Sequence, residues 1–176
     1  GKGLAYGAEF YLKRNKGKLT GWVSYTYSRS LRKFENINAG EFYPARQDII
    51  HDISIVGMYK INEKWTVSSS WVYSSGIAVT YPTGRYTIDN VTAPAYSDRN
   101  GSRFPAYHRL DFGVTWYNKK TEKFESNWNF SIYNVYARQN AYSIAFKDDP
   151  NNSGQMMAEQ TALFSIIPSI TYNFKF

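Results

Sequence analysis

The last fifteen residues of the chain, 162–176, alternate between apolar and polar side chains. Read backwards in steps of two, the apolar set is Phe176, Phe174, Tyr172, Ile170, Pro168, Ile166 and Phe164. A period of two places the two sets on opposite faces of a β-strand, so one face meets an apolar medium and the other meets water. Strands of soluble proteins usually have about five or six residues. A longer strand with an aromatic end is typical of a transmembrane β-barrel.

The same alternation predicts six further strands upstream. They are Gly3–Lys13, Lys18–Ser30, Asp48–Lys60, Trp65–Ser75, Tyr107–Tyr117, and a sixth from Ser126 through an irregular patch at Asn134–Asn140 to Phe146. On the fourth strand, the step from Trp65 to Tyr73 covers about 26 Å of strand, or roughly 20 Å across a bilayer at a tilt of ~40°. That height is close to the ~25 Å apolar band of outer-membrane barrels. The predicted fold class is therefore all-β, with antiparallel transmembrane β-barrel strands.

The connections between these strands alternate in length. They are short at 14–17, long at 31–47, short at 61–64, long at 76–106, short at 118–125 and of medium length at 147–159. Bacterial barrels have short periplasmic turns and long outer loops, which would put Phe176 on the periplasmic side of an outer membrane. If the patch at Asn134–Asn140 is a tight turn instead, the strand count becomes eight rather than seven.

The composition fits a barrel whose alternate residues face lipid. Aromatic residues make up 18% of the chain, which has 16 Tyr, 11 Phe and 5 Trp, and such residues form girdles in barrels. The mean hydropathy is only −0.52. No run of 18 apolar residues is present, so no helical span is expected. Cysteine is absent, which excludes a disulfide framework and a thiolate metal site.

The formal net charge of +7 is concentrated at the short connections and at the end of the chain. The basic residues there are Lys13, Arg14, Lys16, Lys18, Lys60, Lys64, Lys119, Lys120, Lys123 and Lys175. Phospholipid headgroups at the inner leaflet would attract this charge. Since no compact basic stripe accompanies it, we expect no nucleic-acid partner.

Seven strands do not make a complete bacterial barrel, which normally has an even number. An unclosed sheet leaves unpaired amides and carbonyls in hydrocarbon, at a cost of several kcal/mol each. We therefore expect further strands, supplied either upstream in the same polypeptide or by identical neighbours, and we favour the first.

Several motifs, taken in order, resemble the C-terminal third of a TonB-dependent outer-membrane receptor of the type common in Bacteroidota. They are Tyr6-Gly-Ala-Glu-Phe10, Gly21-Trp-Val-Ser-Tyr-Thr-Tyr-Ser28, Arg46-Gln-Asp48, His51-Asp-Ile-Ser54, Trp71-Val-Tyr-Ser-Ser-Gly76, Arg103-Phe-Pro-Ala-Tyr-His-Arg-Leu-Asp111, Asn129-Phe-Ser-Ile-Tyr-Asn-Val-Tyr136 and Ile167-Pro-Ser-Ile-Thr-Tyr-Asn-Phe-Lys-Phe176. The resemblance implies a barrel of 22 strands around an N-terminal plug, pulled by a TonB-type energy coupler. It implies active import of a siderophore, glycan or peptide, with lipopolysaccharide, the rest of the barrel and a surface lipoprotein as partners. The plug and the coupling segment are not present in this sequence.

Three groups of residues are candidates for function. Aromatic and charged residues of the loop 76–106 could bind an external ligand: Tyr81, Arg85, Tyr86, Tyr96, Arg99, Arg103 and Phe104. The polar residues Asp52, Arg109 and Asp111 are expected to face the lumen in an ion-pair network. Tyr172, Phe174 and Phe176 resemble the signal read by the barrel-assembly machinery, although a plain lipid-facing strand end has the same residues.

An enzyme and a stand-alone barrel are the alternatives to an importer, and each would require its own sequence features. The two histidines, His51 and His108, lack a third group at a fixed spacing, so we expect no catalytic or metal site, no cofactor and no enzyme activity. A barrel protease or lipid hydrolase would need one of these histidines. A stand-alone or oligomeric barrel acting as a porin, adhesin or scaffold is the main alternative to an importer.

Overall fold

The protein is all-β. A computed structural model describes residues 1–89, 91–121, 124–149 and 156–176, and these contain fourteen strands and one short 3-10 turn, Asn38–Gly40. The strands are β1 (Lys2–Arg14), β2 (Leu19–Lys33), β3 (Tyr43–Pro44), β4 (His51–Lys60), β5 (Trp65–Ser74), β6 (Ala78–Val79), β7 (Pro82–Ile88), β8 (Val91–Tyr96), β9 (Ser102–Arg103), β10 (Tyr107–Lys120), β11 (Glu125–Tyr133), β12 (Ser143–Asp148), β13 (Met156–Thr161) and β14 (Ile167–Lys175). Within the described ranges, no helix has the length and apolar character needed to cross a membrane.

Seven long strands form one antiparallel sheet in the order β1-β2-β4-β5-β10-β11-β14, and β3 pairs with the C-terminal end of β2. Each long strand pairs with the long strands before and after it in the chain, as in a meander. Most bounds lie within a few residues of those predicted from the alternation. The prediction of antiparallel β-structure is confirmed.

The strand register aligns the apolar sets of neighbouring strands on one face. One row runs across six strands through Leu19, Tyr59, Val67, Val114, Phe130 and Ile170. A second row runs through Trp65, Trp116, Trp128 and Tyr172, and its rings contact one another at Trp65–Trp116 and Trp128–Tyr172. The opposite face carries Ser, Thr, Asn and charged residues. We call these the apolar face and the polar face.

The sheet is a single layer, and its apolar face is uncovered. Phe10 is 56% exposed and Ile170 is 67% exposed, although both lie on this face. Only three hydrophobic residues of the described ranges are buried, Tyr43, Ala45 and Ala78, and all three lie in the connections. The terminal strands β1 and β14 each pair on one side only, so the described strands do not close into a barrel.

The structure corrects the predicted sixth strand. It ends at Tyr133 instead of continuing to Phe146, because Asn134 adopts φ 56° and leaves the extended conformation. Residues beyond the patch form a separate hairpin in which β12 pairs with β13. The main sheet therefore has seven long strands, with the short β3 as an eighth.

Other predicted connections also contain strands. The loop 76–106 contains the two-stranded ladders β6–β9 and β7–β8, and the connection 31–47 contains β3. The strands β12 and β13 extend into the predicted connection 147–159, and residues 150–155 of that connection lie outside the described residues. Residues 122–123 of the predicted turn 118–125 also lie outside the described residues. The last strand begins at Ile167 rather than at 162.

Candidate functional site

The two long connections at one end of the sheet meet around Asp48. This carboxylate is 1% exposed and accepts the backbone N–H of Ser30 at 2.5 Å. Arg29 lies 3.3 Å from Oδ1, and the Arg103 guanidinium pairs with Oδ2. The same guanidinium donates to the carbonyl oxygens of Asp48 at 2.5 Å and Gly76 at 3.1 Å. We call Arg29, Asp48, Arg103 and the Gly76 carbonyl the Asp48 cluster.

The Asp48 cluster is held in its charged form. Burial opposes the ionised carboxylate, but the Ser30 hydrogen bond and the two guanidinium groups outweigh it and lower the pKa of Asp48. Asp48 was predicted as the first residue of a strand and as part of the Arg46-Gln-Asp48 motif, but β4 begins at His51 and the role of Asp48 at this junction was missed. Since Arg103 is 55 residues from Asp48 in sequence, no local pattern indicates this pair.

Two asparagines reinforce the same junction. The Asn38 amide donates to the Arg99 carbonyl at 3.0 Å and accepts the Arg99 N–H at 2.8 Å. The Asn100 side chain donates to the Pro44 carbonyl at 2.8 Å, and the Asn100 backbone N–H donates to the Thr80 hydroxyl at 2.8 Å. The base of the loop 76–106 is therefore fixed to the connection 31–47 at two points, and to Asp48 just after it at a third.

The predicted ligand-contact residues divide between this base and a projecting hairpin. Arg99, Arg103 and Phe104 lie at the base, where the Phe104 N–H donates to the Ile77 carbonyl at 2.9 Å. Tyr86 and Tyr96 lie on the β7–β8 hairpin and are 51% and 63% exposed. The structure thus does not gather the predicted set into one pocket. The Arg103 guanidinium is bound within the protein, and ligand contact by the exposed tyrosines remains a prediction.

The hairpin itself offers an open apolar surface. Ile88 and Val91 lie directly opposite each other at its tip and are 63% and 68% exposed. The predicted residue Arg85 pairs with Pro94, so it lies on the opposite face from Tyr86. Tyr81, at the base, packs its ring 5.1 Å from that of Phe146 and so links this hairpin to the β12–β13 hairpin. Burial raises the pKa of the Tyr81 hydroxyl.

The predicted lumen residues lie together on the polar face. Arg109 pairs with Asp111 at 2.9 Å, donates to the Tyr107 hydroxyl at 2.9 Å and lies 4.2 Å from the Tyr133 ring centroid. Asp52 shares this face and aligns through Ser74 with Tyr107, but it does not join the ion pair. The Arg109 guanidinium is therefore engaged by a carboxylate, a hydroxyl and an aromatic ring of the protein itself.

A buried amide, Asn134, anchors the end of β11 and was also missed. It is 1% exposed and donates to the carbonyls of Arg138 and Ser165, both at 2.9 Å. Its backbone N–H donates to Asp111 at 2.9 Å. A small cavity of about 130 Å³ lies beside it, between Tyr107 and Phe164. Asn tolerates a positive φ better than most residues, which was the available signal.

The two histidines each contact tyrosines on the apolar face. The Nδ1 atom of His51 lies 3.0 Å from the Tyr25 hydroxyl, and that of His108 lies 2.8 Å from the Tyr136 hydroxyl. The His108 ring also stacks on that of Tyr73. Among the described residues, no group of three or more His, Cys, Asp or Glu side chains could hold a metal ion. This band of rings lies eight residues along the strands from the tryptophan row.

The terminal aromatics form a ladder on the apolar face. The rings of Tyr172, Phe174 and Phe176 follow each other at 5.9 and 5.6 Å, and Tyr172 also contacts Trp128 at 4.8 Å. Phe176 is 90% exposed. The ladder therefore continues the tryptophan row to the edge of the sheet. Its role as a barrel-assembly signal remains a prediction.

Comparisons with known protein families, with curated proteins and with solved structures found no significant match to this chain.

Proposed function

We propose that this chain forms part of the barrel wall and the outer loops of a TonB-dependent outer-membrane importer, one that takes up a siderophore, glycan or peptide. The observation that carries the membrane part of the proposal is the uncovered apolar face of a one-layer sheet. A sheet of this size in water would bury such a face against a second layer. Lipid tails would solvate it instead.

Two aromatic bands support this orientation. The tryptophan row and the band of Tyr25, His51, Tyr73 and His108 are separated by about eight residues, or roughly 20 Å across a tilted sheet. Tyrosine and tryptophan favour membrane–water interfaces. The loops beyond the second band would lie outside the cell, and the basic short turns would lie in the periplasm.

The import part of the proposal rests on the resemblance together with the outer loops. The loop base is fixed by the Asp48 cluster, whereas the β7–β8 hairpin exposes Tyr86, Ile88, Val91 and Tyr96. A fixed base that holds an exposed aromatic and apolar tip is a suitable arrangement for capturing a large ligand. The polar face with Arg109 and Asp111 would then line the passage.

The membrane proposal can be tested with tryptophan fluorescence in bilayers of brominated phosphatidylcholine. Single-tryptophan variants that retain Trp71 should be strongly quenched, because Trp71 lies on the apolar face between the two bands. Trp22 is the matched control, since it pairs with Lys13 and Val56 on the polar face. Equal quenching of both positions would contradict the proposal.

The importer and the oligomeric barrel can be distinguished by isolating the natural polypeptide from outer membranes. An importer predicts a polypeptide much larger than this chain, together with a coupler-dependent uptake activity. The unpaired edges of β1 and β14 are also compatible with closure by identical copies, as in an oligomeric porin, adhesin or scaffold. That alternative predicts a small polypeptide in a defined oligomer, with uptake or adhesion independent of an energy coupler.

A further inference from the structure

Two lysines lie directly opposite each other at the outer end of the apolar face. Lys2 on β1 is the register partner of Lys33 on β2, one step beyond the apolar pair Leu4 and Leu31 on the same face. Like charges directly opposite each other destabilise an antiparallel pair. A strand end with this arrangement is therefore stabilised by an anion that bridges the two ammonium groups.

The protein supplies no such anion within its described residues. Arg29, two steps further down the same face, already pairs with Asp48. Lys33 lies 5.5 Å over the Phe42 ring, a contact that leaves its positive charge in place. Glu35 lines the neighbouring groove, but no ion pair joins it to either lysine.

The groove beside the lysines is open and partly apolar. It has a volume of about 600 Å³ and is lined by Lys2, Lys33, Phe34 and Ile37 among others. Phe34 is 42% exposed and Phe42 is 45% exposed. The Lys33 ammonium lies over the exposed Phe42 ring, and Lys2 lines the groove together with Phe34. Positive charge beside exposed phenyl rings matches a ligand that has a phosphate attached to an apolar body.

The position of the pair along the strand agrees with this ligand. From Leu12 to Lys2 there are ten residues, so the lysines lie about 33 Å along the strand, or roughly 25 Å across a sheet tilted by ~40°. That distance equals the height of the apolar band of outer-membrane barrels. The ammonium groups would therefore lie at the depth of the outer-leaflet headgroups.

We propose that Lys2 and Lys33 form a binding site for a phosphate group of an outer-leaflet glycolipid, with Phe34 and Phe42 against its apolar part. This inference rests on the proposed membrane orientation. It goes beyond that orientation because it assigns one lipid class to one strand pair. A phosphate oxygen between two ammonium groups would remove their repulsion and stabilise the pairing of the start of β1 with the end of β2.

The test uses the natural polypeptide that contains this chain, reconstituted in phosphatidylcholine vesicles. The vesicles carry either a diphosphorylated glucosamine-disaccharide lipid or the same lipid without phosphates, and inorganic phosphate is titrated separately. Bound glycolipid is measured by native mass spectrometry across a concentration series. The variants are K2Q/K33Q, the charge-conserving K2R/K33R, and the matched control K16Q/K18Q at the opposite end of the sheet.

Each lysine near an anionic surface strengthens binding by about fivefold, so removal of both should weaken the apparent affinity by about thirtyfold. We expect this loss in K2Q/K33Q, near-native affinity in K2R/K33R and in K16Q/K18Q, and weak binding of the dephosphorylated lipid. Native affinity in K2Q/K33Q, or equal binding of both lipids, would overturn the inference while leaving the membrane proposal intact. Competition by inorganic phosphate at lipid-like concentrations would reassign the site to a free anion and overturn the lipid assignment. Failure of the wild-type protein to insert into the vesicles would overturn both proposals.

Discussion

Replacement of Asp48 by Asn should release the base of the loop 76–106 from the sheet. The substitution preserves the shape of the side chain and leaves an oxygen able to accept the Ser30 N–H. It removes the negative charge that faces Arg29 and Arg103, whose side chains are 25% and 29% exposed. Water can reach both guanidinium groups, so the two arginines are only partly stranded by the change.

The expected magnitude follows from the number of charge-assisted contacts. A hydrogen bond to a charged group contributes about 1.5–3 kcal/mol, and breaking one partner of a fully buried pair costs about 3–5 kcal/mol. Because both arginines are partly solvated, we expect the lower part of that range, about 3 kcal/mol in the free energy of loop opening. This corresponds to about a hundredfold increase in the opening equilibrium.

Hydrogen–deuterium exchange measures that equilibrium residue by residue. Amides of 76–80 and 98–104 should exchange about a hundredfold faster in D48N, whereas those of β4 and β5 should keep their protection. D98N is the matched control, because Asp98 is exposed in the same loop. Its hydrogen bond from the Gly101 N–H uses the backbone carbonyl, which the substitution keeps. Unchanged exchange in D48N, or equal acceleration in D98N, would refute the assigned role of the Asp48 cluster.

The same contact should depend on pH in one direction. The pKa of Asp48 in the folded protein lies below its ordinary value of 3.8. The stabilisation is therefore complete above pH 3.8 and is lost as the pH falls through the lower folded value. Exchange in the loop of the wild-type protein, corrected for intrinsic rates, should stay constant from neutral pH to about 4.5 and should rise only in stronger acid.

Two further predictions test the close packing and the lipid face. Gly76→Ala should open the same loop, because an added Cβ would overlap the Phe104 carbonyl oxygen. Gly84→Ala is its control, since an added Cβ there meets nothing within 4 Å, and proteolysis of the loop compares the two. Ile170→Lys should destabilise the folded protein in lipid by about 1–2 kcal/mol, because Ile170 lies on the apolar face two residues from Tyr172 of the tryptophan row, between the interface and the midplane of the proposed bilayer. Thr171→Lys, on the polar face of the same strand, should cost much less in a urea titration in lipid, and an equal loss in both variants would argue against lipid contact.

The alternation of side chains by itself determined most of the main sheet. Because a period of two is a local property, the bounds of β4, β5 and β10 and the division into two faces follow from the sequence of each strand alone. Short connections such as 61–64 also indicate that the two strands they join pair side by side. The row from Leu19 to Ile170 is the consequence of these two local facts repeated across six strands.

The loop hairpin β7–β8 was predictable but was missed. Tyr86, Thr87, Ile88 and Val91 are strand-forming residues on either side of Asp89 and Asn90, and Asp and Asn favour tight turns. The abundance of Pro and Gly around this segment indicated a loop instead.

Only the tertiary structure decided the Asp48 cluster and the end of β11. Asp48 and Arg103 are far apart in sequence and meet because the sheet brings two connections to the same end. Asn134 stops a strand that the apolar pattern alone would continue, since its buried amide is satisfied by Arg138 and by Ser165, 31 residues away. Such contacts depend on which elements become neighbours, and a period along one strand carries no information about that.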